Sequence, residues 1–196
     1  MFYRPRDGHG LAHNPFNAIV APRPIGWIAT TGPQGDNLAP YSFFNAVAYV
    51  PPQVMFASNG VKDSLANIRA TGVFSVGIVA AAMLAAMNET SAAVAPGADE
   101  FALAGVARAP CETIDCPRVA DAPATLECRL IQEVALLGRD NVLILGEVTG
   151  IHLRDDCLRD GRFDVLAFNP VARMGYRDYV VVRDRLELAR PDEAAG

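Results

Sequence analysis

Two runs in the second half of the chain, TLECRLIQEVAL and NVLILGEVTGIHL, are dense in β-branched and apolar residues with polar positions interleaved. The segment LGRD at 137–140 separates them, and this order predicts two long antiparallel strands joined as a hairpin. Nearer the start, AIVAPRPIGWIATTG leads through a Gly-Pro-Gln-Gly turn into NLAPYSFFNAVAYV, which predicts a second hairpin. Pro22, Pro24 and Pro40 place an edge or a bulge there, because proline donates no ladder hydrogen bond.

Between these hairpins the period changes. VMFAS at 54–58 reads as a short buried strand, and Leu65 and Ile68, three apart, predict a helix ending at Thr71-Gly72. GVFSVGIVA predicts another strand and AAMLAAMNE a second helix. From Glu89 to Pro123 the many Pro, Ala and Gly residues predict a long surface excursion, with a short helix near DEFALAG. Regular βαβ alternation is absent, so the expected fold is mainly β, a barrel with helical insertions. Residues 1–16 read as an N-terminal arm, 17–183 as a single domain and 184–196 as a C-terminal tail.

Composition narrows the function. A formal charge of -5 over 196 residues argues against general binding to nucleic acid or anionic membranes, which require clustered Lys and Arg. Cys111, Cys116, Cys128 and Cys157 form no C-x-x-C pair and lie far from His9, His13 and His152, so no metal site is expected. No apolar run has the length of a signal peptide or a membrane span, which predicts a cytoplasmic protein with reduced thiols, Cys111 and Cys116 included.

The motifs of dinucleotide-binding Rossmann enzymes, P-loop NTPases and α/β-hydrolases are missing. The paired carboxylates Asp99-Glu100 and Asp155-Asp156 read as solvated surface. SNGVKDSLANIRATG, at 58–72, is the segment with chemical content. A helix N-terminus offers unpaired N–H groups and partial positive charge to an anion, and Lys62, Ser58 and Ser64 stand around it, with Asp63 as a candidate cap. Taken alone, the same residues read more readily as an ordinary capped helix with a solvated lysine, because caps of this composition are common.

The order RPIGWIATTG, NLAPYSFFNAVAYVPPQVMFASN, KDSLANIRATGVFSV, MNETS and NPVARMGYRDY resembles the flavin reductase-like, FMN-binding split-barrel family over about residues 15–180. The resemblance implies a Greek-key split β-barrel that forms a homodimer and binds FMN, or FAD in its place, near the subunit interface. It puts Thr30, Thr31, Tyr41, Ser42, Phe43 and Asn45 along the flavin ring and ribityl chain. It assigns Ser58, Lys62, Asp63 and Ser64 to the phosphate, and Asn88, Arg173 and Tyr176 to positions near the cofactor. Competing structural readings exist for each: strand residues for the threonines, core for Tyr41, Phe43 and Phe44, turn pins for Asn45 and Asn88, a surface ion pair for Arg173. Trp27 reads as core.

The implied activity is hydride transfer from NADH or NADPH to flavin N5, then to a second acceptor: free flavin, a ferric chelate or a partner monooxygenase. The alternative is an FMN-binding electron carrier of flavoredoxin type. One departure bears on this choice. Many members carry Gly-Asp-His before the Gly-Glu-Val strand, whereas this chain reads Gly138-Arg139-Asp140-Asn141, and Asn141 holds no titratable proton. His152 is the only histidine within the barrel region and the one candidate for proton handling, against the commoner structural role.

Overall fold

The computed structural model describes residues 1–191. In chain order the elements begin with α1 (Phe16–Ile19), β1 (Arg23–Pro24), β2 (Gly26–Thr30), β3 (Asn37–Tyr41), β4 (Phe44–Tyr49), β5 (Pro52–Asn59) and α2 (Asp63–Thr71). They continue with β6 (Val73–Ile78), α3 (Leu84–Glu89), α4 (Glu100–Leu103), β7 (Arg108–Pro110), β8 (Pro117–Val119), β9 (Ala124–Ala135) and β10 (Asn141–Leu153). The last are β11 (Leu158–Arg159), β12 (Arg162–Phe163), β13 (Val171–Arg173) and β14 (Tyr179–Val181).

Seven strands form one antiparallel sheet in the order β3-β2-β6-β9-β10-β5-β4. Its two edges, β3 and β4, are consecutive in the chain and separated only by Ser42 and Phe43. The sheet therefore has to curl until its edges meet, yet among the described residues no ladder joins them. That gap is the split in the barrel. Pro40 lies in the edge strand β3, where a missing donor costs no interior ladder bond.

The core forms on both sides of β2. Ile28 packs inside the barrel with Phe44, Phe56, Phe74, Val76 and Ile144, and α2 closes that cluster with Leu65 and Ile68. Trp27 and Ala29, pointing the other way, pack with Leu38, Val79, Met87, Phe101 and Val119. Every residue of β2 is consequently buried. Each large apolar side chain fully buried here stabilises the fold by ~1.5–3 kcal/mol relative to exposure. Helix α2 ends at Gly72, whose φ of 72° is readily adopted by glycine and lets its N–H return to the Ile68 carbonyl at 2.7 Å.

The segment 89–123 departs from the sequence expectation. Only part of it is a surface excursion: residues 91–97 are exposed, but Thr90, Glu100, Phe101, Ile114, Cys116, Val119 and Ala122 are buried. Phe101 completes the outer core, and the β7–β8 hairpin lies over β2 and β6. Its composition suggested a loop because its few anchors are scattered, and burial here is decided by distant partners. Helix α1, at the end of the N-terminal arm, docks on the barrel: Ala18 sits where a Cβ on Gly175 would fall at 2.6 Å, so this packing requires glycine. All four cysteines are free thiols, and no helix among the described residues is long and apolar enough to cross a membrane. Residues 192–196 of the expected tail lie outside the described residues.

Candidate flavin site

A cavity of about 600 Å3 opens at the split, within the ~300–1,000 Å3 usual for small-molecule sites. Its walls come from the β3–β4 corner (Tyr41, Ser42, Phe43), from the start of α2 (Lys62, Asp63, Ser64) and from Thr90, Ser91 and Glu100. The architecture explains the convergence. The chain must leave one edge and enter the other at Ser42-Phe43, and β5 feeds α2 so that its N-terminus faces the same gap.

Two features leave polar groups open there. Lys62 occupies the N-cap of α2, and among the described residues no side chain caps the helix. The first-turn N–H groups and the Lys62 ammonium therefore present positive character to the cavity. Tyr41 is 7% exposed, and its hydroxyl has no hydrogen-bond partner among the described residues. Burial raises the Tyr41 phenol above its ordinary pKa, helped by the Asp63 and Glu100 carboxylates and opposed by Ser64 and Ser58. Those two serines donate elsewhere, Ser64 to Asn37 Oδ1 at 2.6 Å and Ser58 to the Gly60 carbonyl at 3.0 Å.

Six of the residues singled out from the sequence, Tyr41, Ser42, Phe43, Lys62, Asp63 and Ser64, line this one cavity. The others are held elsewhere. Thr30 is fully buried and accepts from Asn67 Nδ2 at 3.2 Å, because its face of β2 meets α2 rather than the split. Thr31 lines a separate hollow of about 310 Å3 with Arg108 and Cys116. Asn45 accepts the adjacent Ala46 N–H at 2.9 Å, and Ser58, near the end of β5, is buried and donates to the Gly60 carbonyl. Asn88 accepts from the Tyr179 hydroxyl at 3.4 Å, while Arg173 donates to the Tyr176 carbonyl at 2.6 Å and to the Tyr179 hydroxyl. Tyr176 packs its ring against His13 at 5.7 Å.

Asp63 does not cap its helix. Its carboxylate accepts from the Gly97 N–H at 2.9 Å, tying the 89–99 segment to α2. His152 is not part of the cavity wall. It lies near the end of β10 opposite Thr125, while Val142, at the other end, faces Ser58. Its Nε2 contacts Glu127, a carboxylate with no exposure that also accepts from the Glu112 and Thr113 N–H groups at 2.7 and 2.6 Å and from Thr113 Oγ1 at 2.6 Å. Desolvation pushes the Glu127 pKa up, but the hydrogen bonds from Thr113, His152 and Glu112 outweigh it and hold the carboxyl at about 2.

The family model described as flavin reductase like domain matches residues 20–170. The chain belongs to that family. A relative from Deinococcus radiodurans, described as an uncharacterized protein, is 44% identical over 187 residues, covering 88% of this chain and 82% of its own. The solved nitrilotriacetate monooxygenase component B from Bacillus cereus is 28% identical with a TM-score of 0.84, over 92% of this chain and all of that one. The 2-nitrobenzoate 2-nitroreductase of Pseudomonas fluorescens is 29% identical with a TM-score of 0.80, over 90% and 88%. The split barrel of flavin reductase-like proteins is thus the fold of this chain.

Sequence reasoning missed Glu100. It was read as solvated surface, but the structure buries it at 6% exposure in the cavity wall, where its Oε2 accepts the Leu38 N–H at 3.2 Å. Phe101 beside it, in a short amphipathic pattern, was the available signal that the segment turns inward.

Proposed function

We propose that this flavin reductase-like protein binds FMN at the split and acts as an oxidoreductase of flavin reductase type. The observation that carries this reading is the coincidence, in one cavity, of an uncapped helix start beside Lys62 and a buried, unpartnered Tyr41 hydroxyl. A planar heterocycle with a phosphate tail matches both: the tail to the α2 N-terminus and Lys62, the polar ring edge to Tyr41 and the Ser42-Phe43 backbone. Bound there, FMN supplies hydride acceptance from NADH or NADPH and electron donation to free flavin, a ferric chelate or a partner monooxygenase. The chain's own task is to hold the phosphate at α2, orient the ring against the β3–β4 corner and keep Phe43, 46% exposed, at the open side.

Homodimerisation is part of the same reading. Five of the six residues of the edge strand β4 are exposed, and Val47, Tyr49 and Val50 leave apolar surface uncovered there at 50, 90 and 85% exposure. Light scattering checks it, with a dimer mass as the expected result. A cytoplasmic location belongs to the proposal on the sequence grounds above.

Replacing Lys62 with alanine is expected to weaken FMN binding roughly 10- to 100-fold, from a charge-assisted contact worth ~1.5–3 kcal/mol, and to leave riboflavin binding unchanged. Equal losses for both ligands would show that the helix start is only structural. Anaerobic mixing of the FMN-loaded protein with NADH and NADPH then tests the reductase step through bleaching of the flavin absorbance. The carrier alternative rests on Asn141, which only donates to the Leu137 carbonyl at 3.0 Å and pins its own hairpin turn. Tight FMN that neither nucleotide bleaches decides for the carrier.

A further inference from the structure

Beside the cavity lies a second, smaller sheet in the order β1-β13-β14. Its register sets Arg23 directly opposite Arg173, and Arg173 opposite Tyr179, so three side chains form one row across it. Like charges in directly opposed positions destabilise a sheet. Nothing acidic relieves them: neither arginine has a carboxylate within ion-pair distance among the described residues, although the chain holds 22 acidic residues.

The groups that do touch them are neutral. Arg23 Nη1 donates to the Asn17 and Val20 carbonyls, which fastens the α1 segment at the end of the N-terminal arm. Arg173 donates to the Tyr176 carbonyl and the Tyr179 hydroxyl and stacks on the Tyr179 ring at 4.6 Å. Arg23 is 8% exposed, and its Nε is buried with no partner among the described residues. Burial, and then Arg173, lowers the pKa of Arg23, the response of a cation that lacks a counter-charge. A buried guanidinium with an open donor beside a second guanidinium calls for an oxyanion.

The row stands one residue back from the cavity wall. The Arg23 guanidinium lies 5.6 Å from the centroid of Phe43, which lines that cavity, and the Tyr179 hydroxyl reaches Asn88, just before the lining residues Thr90 and Ser91. We propose that Arg23 and Arg173 form an anion-receiving shelf that takes a phosphate or carboxylate of the second redox substrate while its reacting part lies at the cavity. The assignment to a redox substrate rests on the flavin reading; binding of the anion by the arginine pair does not. Two sources share this chemistry, the phosphates of a reduced nicotinamide dinucleotide and the carboxylates of a metal chelate.

Calorimetry on the full chain, with and without FMN, titrated separately with NADP+ and with citrate, tests the shelf. At least one probe is expected to bind the unmodified protein, and Arg173→Gln is expected to weaken it 10-fold or more. Arg173→Lys restores part of the affinity, and the FMN dissociation constant stays within twofold throughout. Which probe binds identifies the source. Arg23→Lys, which keeps a cation and its hold on the arm, is a second variant expected to lose affinity without unfolding. Failure of both probes to bind overturns the shelf. So does a parallel loss of FMN affinity, which would assign the pair to the cofactor, or dissociation of a dimer by Arg173→Gln, which would assign it to a carboxylate of a second copy. Citrate binding that depends on Arg173 in a protein that takes no FMN would leave the shelf standing and remove the flavin reading.

Discussion

Two buried polar groups toward opposite ends of the β9–β10 hairpin, Glu127 and Tyr41, are treated in opposite ways. At the far end, Glu127 is buried completely, and backbone N–H groups, a threonine hydroxyl and His152 surround its carboxylate. At the split, near the hairpin turn, Tyr41 keeps an unpartnered hydroxyl and α2 an uncapped start. A buried polar group left open costs free energy, which a ligand that supplies the missing partner recovers. Thr125 Oγ1, opposite His152, is also buried without a partner among the described residues, so an open group marks a candidate binding position only where a cavity adjoins it, as one does at Tyr41 and the start of α2.

The sharpest way to break this contrast is to empty the satisfied end. Glu127→Ala strands several donors at once and is expected to lower the unfolding free energy by about 3 kcal/mol or more, read from the urea midpoint. The same carboxylate predicts acid sensitivity. Its folded pKa of about 2 lies below the ~4.3 of an unfolded glutamate. Its contribution is therefore complete above ~4.3 and fades as pH falls toward 2, by on the order of 3 kcal/mol. Thermal melts from pH 6 to pH 2 are expected to show that loss in the unmodified protein and a shallower one in Glu127→Gln.

Emptying the open end has the reverse sign. Tyr41→Phe removes a hydroxyl with no partner, so the ligand-free protein is expected to gain about 1 kcal/mol while FMN binding weakens roughly fivefold. A loss of stability in both states would mean that the hydroxyl already has a structural partner. The smallest effect sets the scale. Arg69 on α2 pairs with Glu133 on β9 through two contacts, but both side chains are well exposed, and Arg69→Ala is expected to cost under ~1 kcal/mol with FMN affinity unchanged.

Much of the fold was legible. The long hairpin, the Gly32–Gly35 turn, the edge position of Pro40 and the Gly72 stop for α2 all follow from local chemistry that the structure repeats. That Tyr41 to Phe43 and Lys62 to Ser64 keep together was also legible, and they line one cavity because one corner and one helix start carry each set. Residues whose role depends on which face is covered were not. Thr30 looked like a cavity threonine until α2 was seen to pack over it, and Glu100 looked solvated until β3 supplied the Leu38 N–H. Asp63, apparently a cap, serves Gly97 from 34 residues away.

Periodicity and turn residues act over a few positions, and they alone determined that this chain makes antiparallel strands, where they turn, and where a helix follows a strand. Closure of the sheet at Ser42-Phe43, the inward turn of the 89–123 segment and the pairing of Arg23 with Arg173 were decided only in three dimensions. Each joins residues far apart in sequence, and which groups are left without a partner is a property of the packed whole.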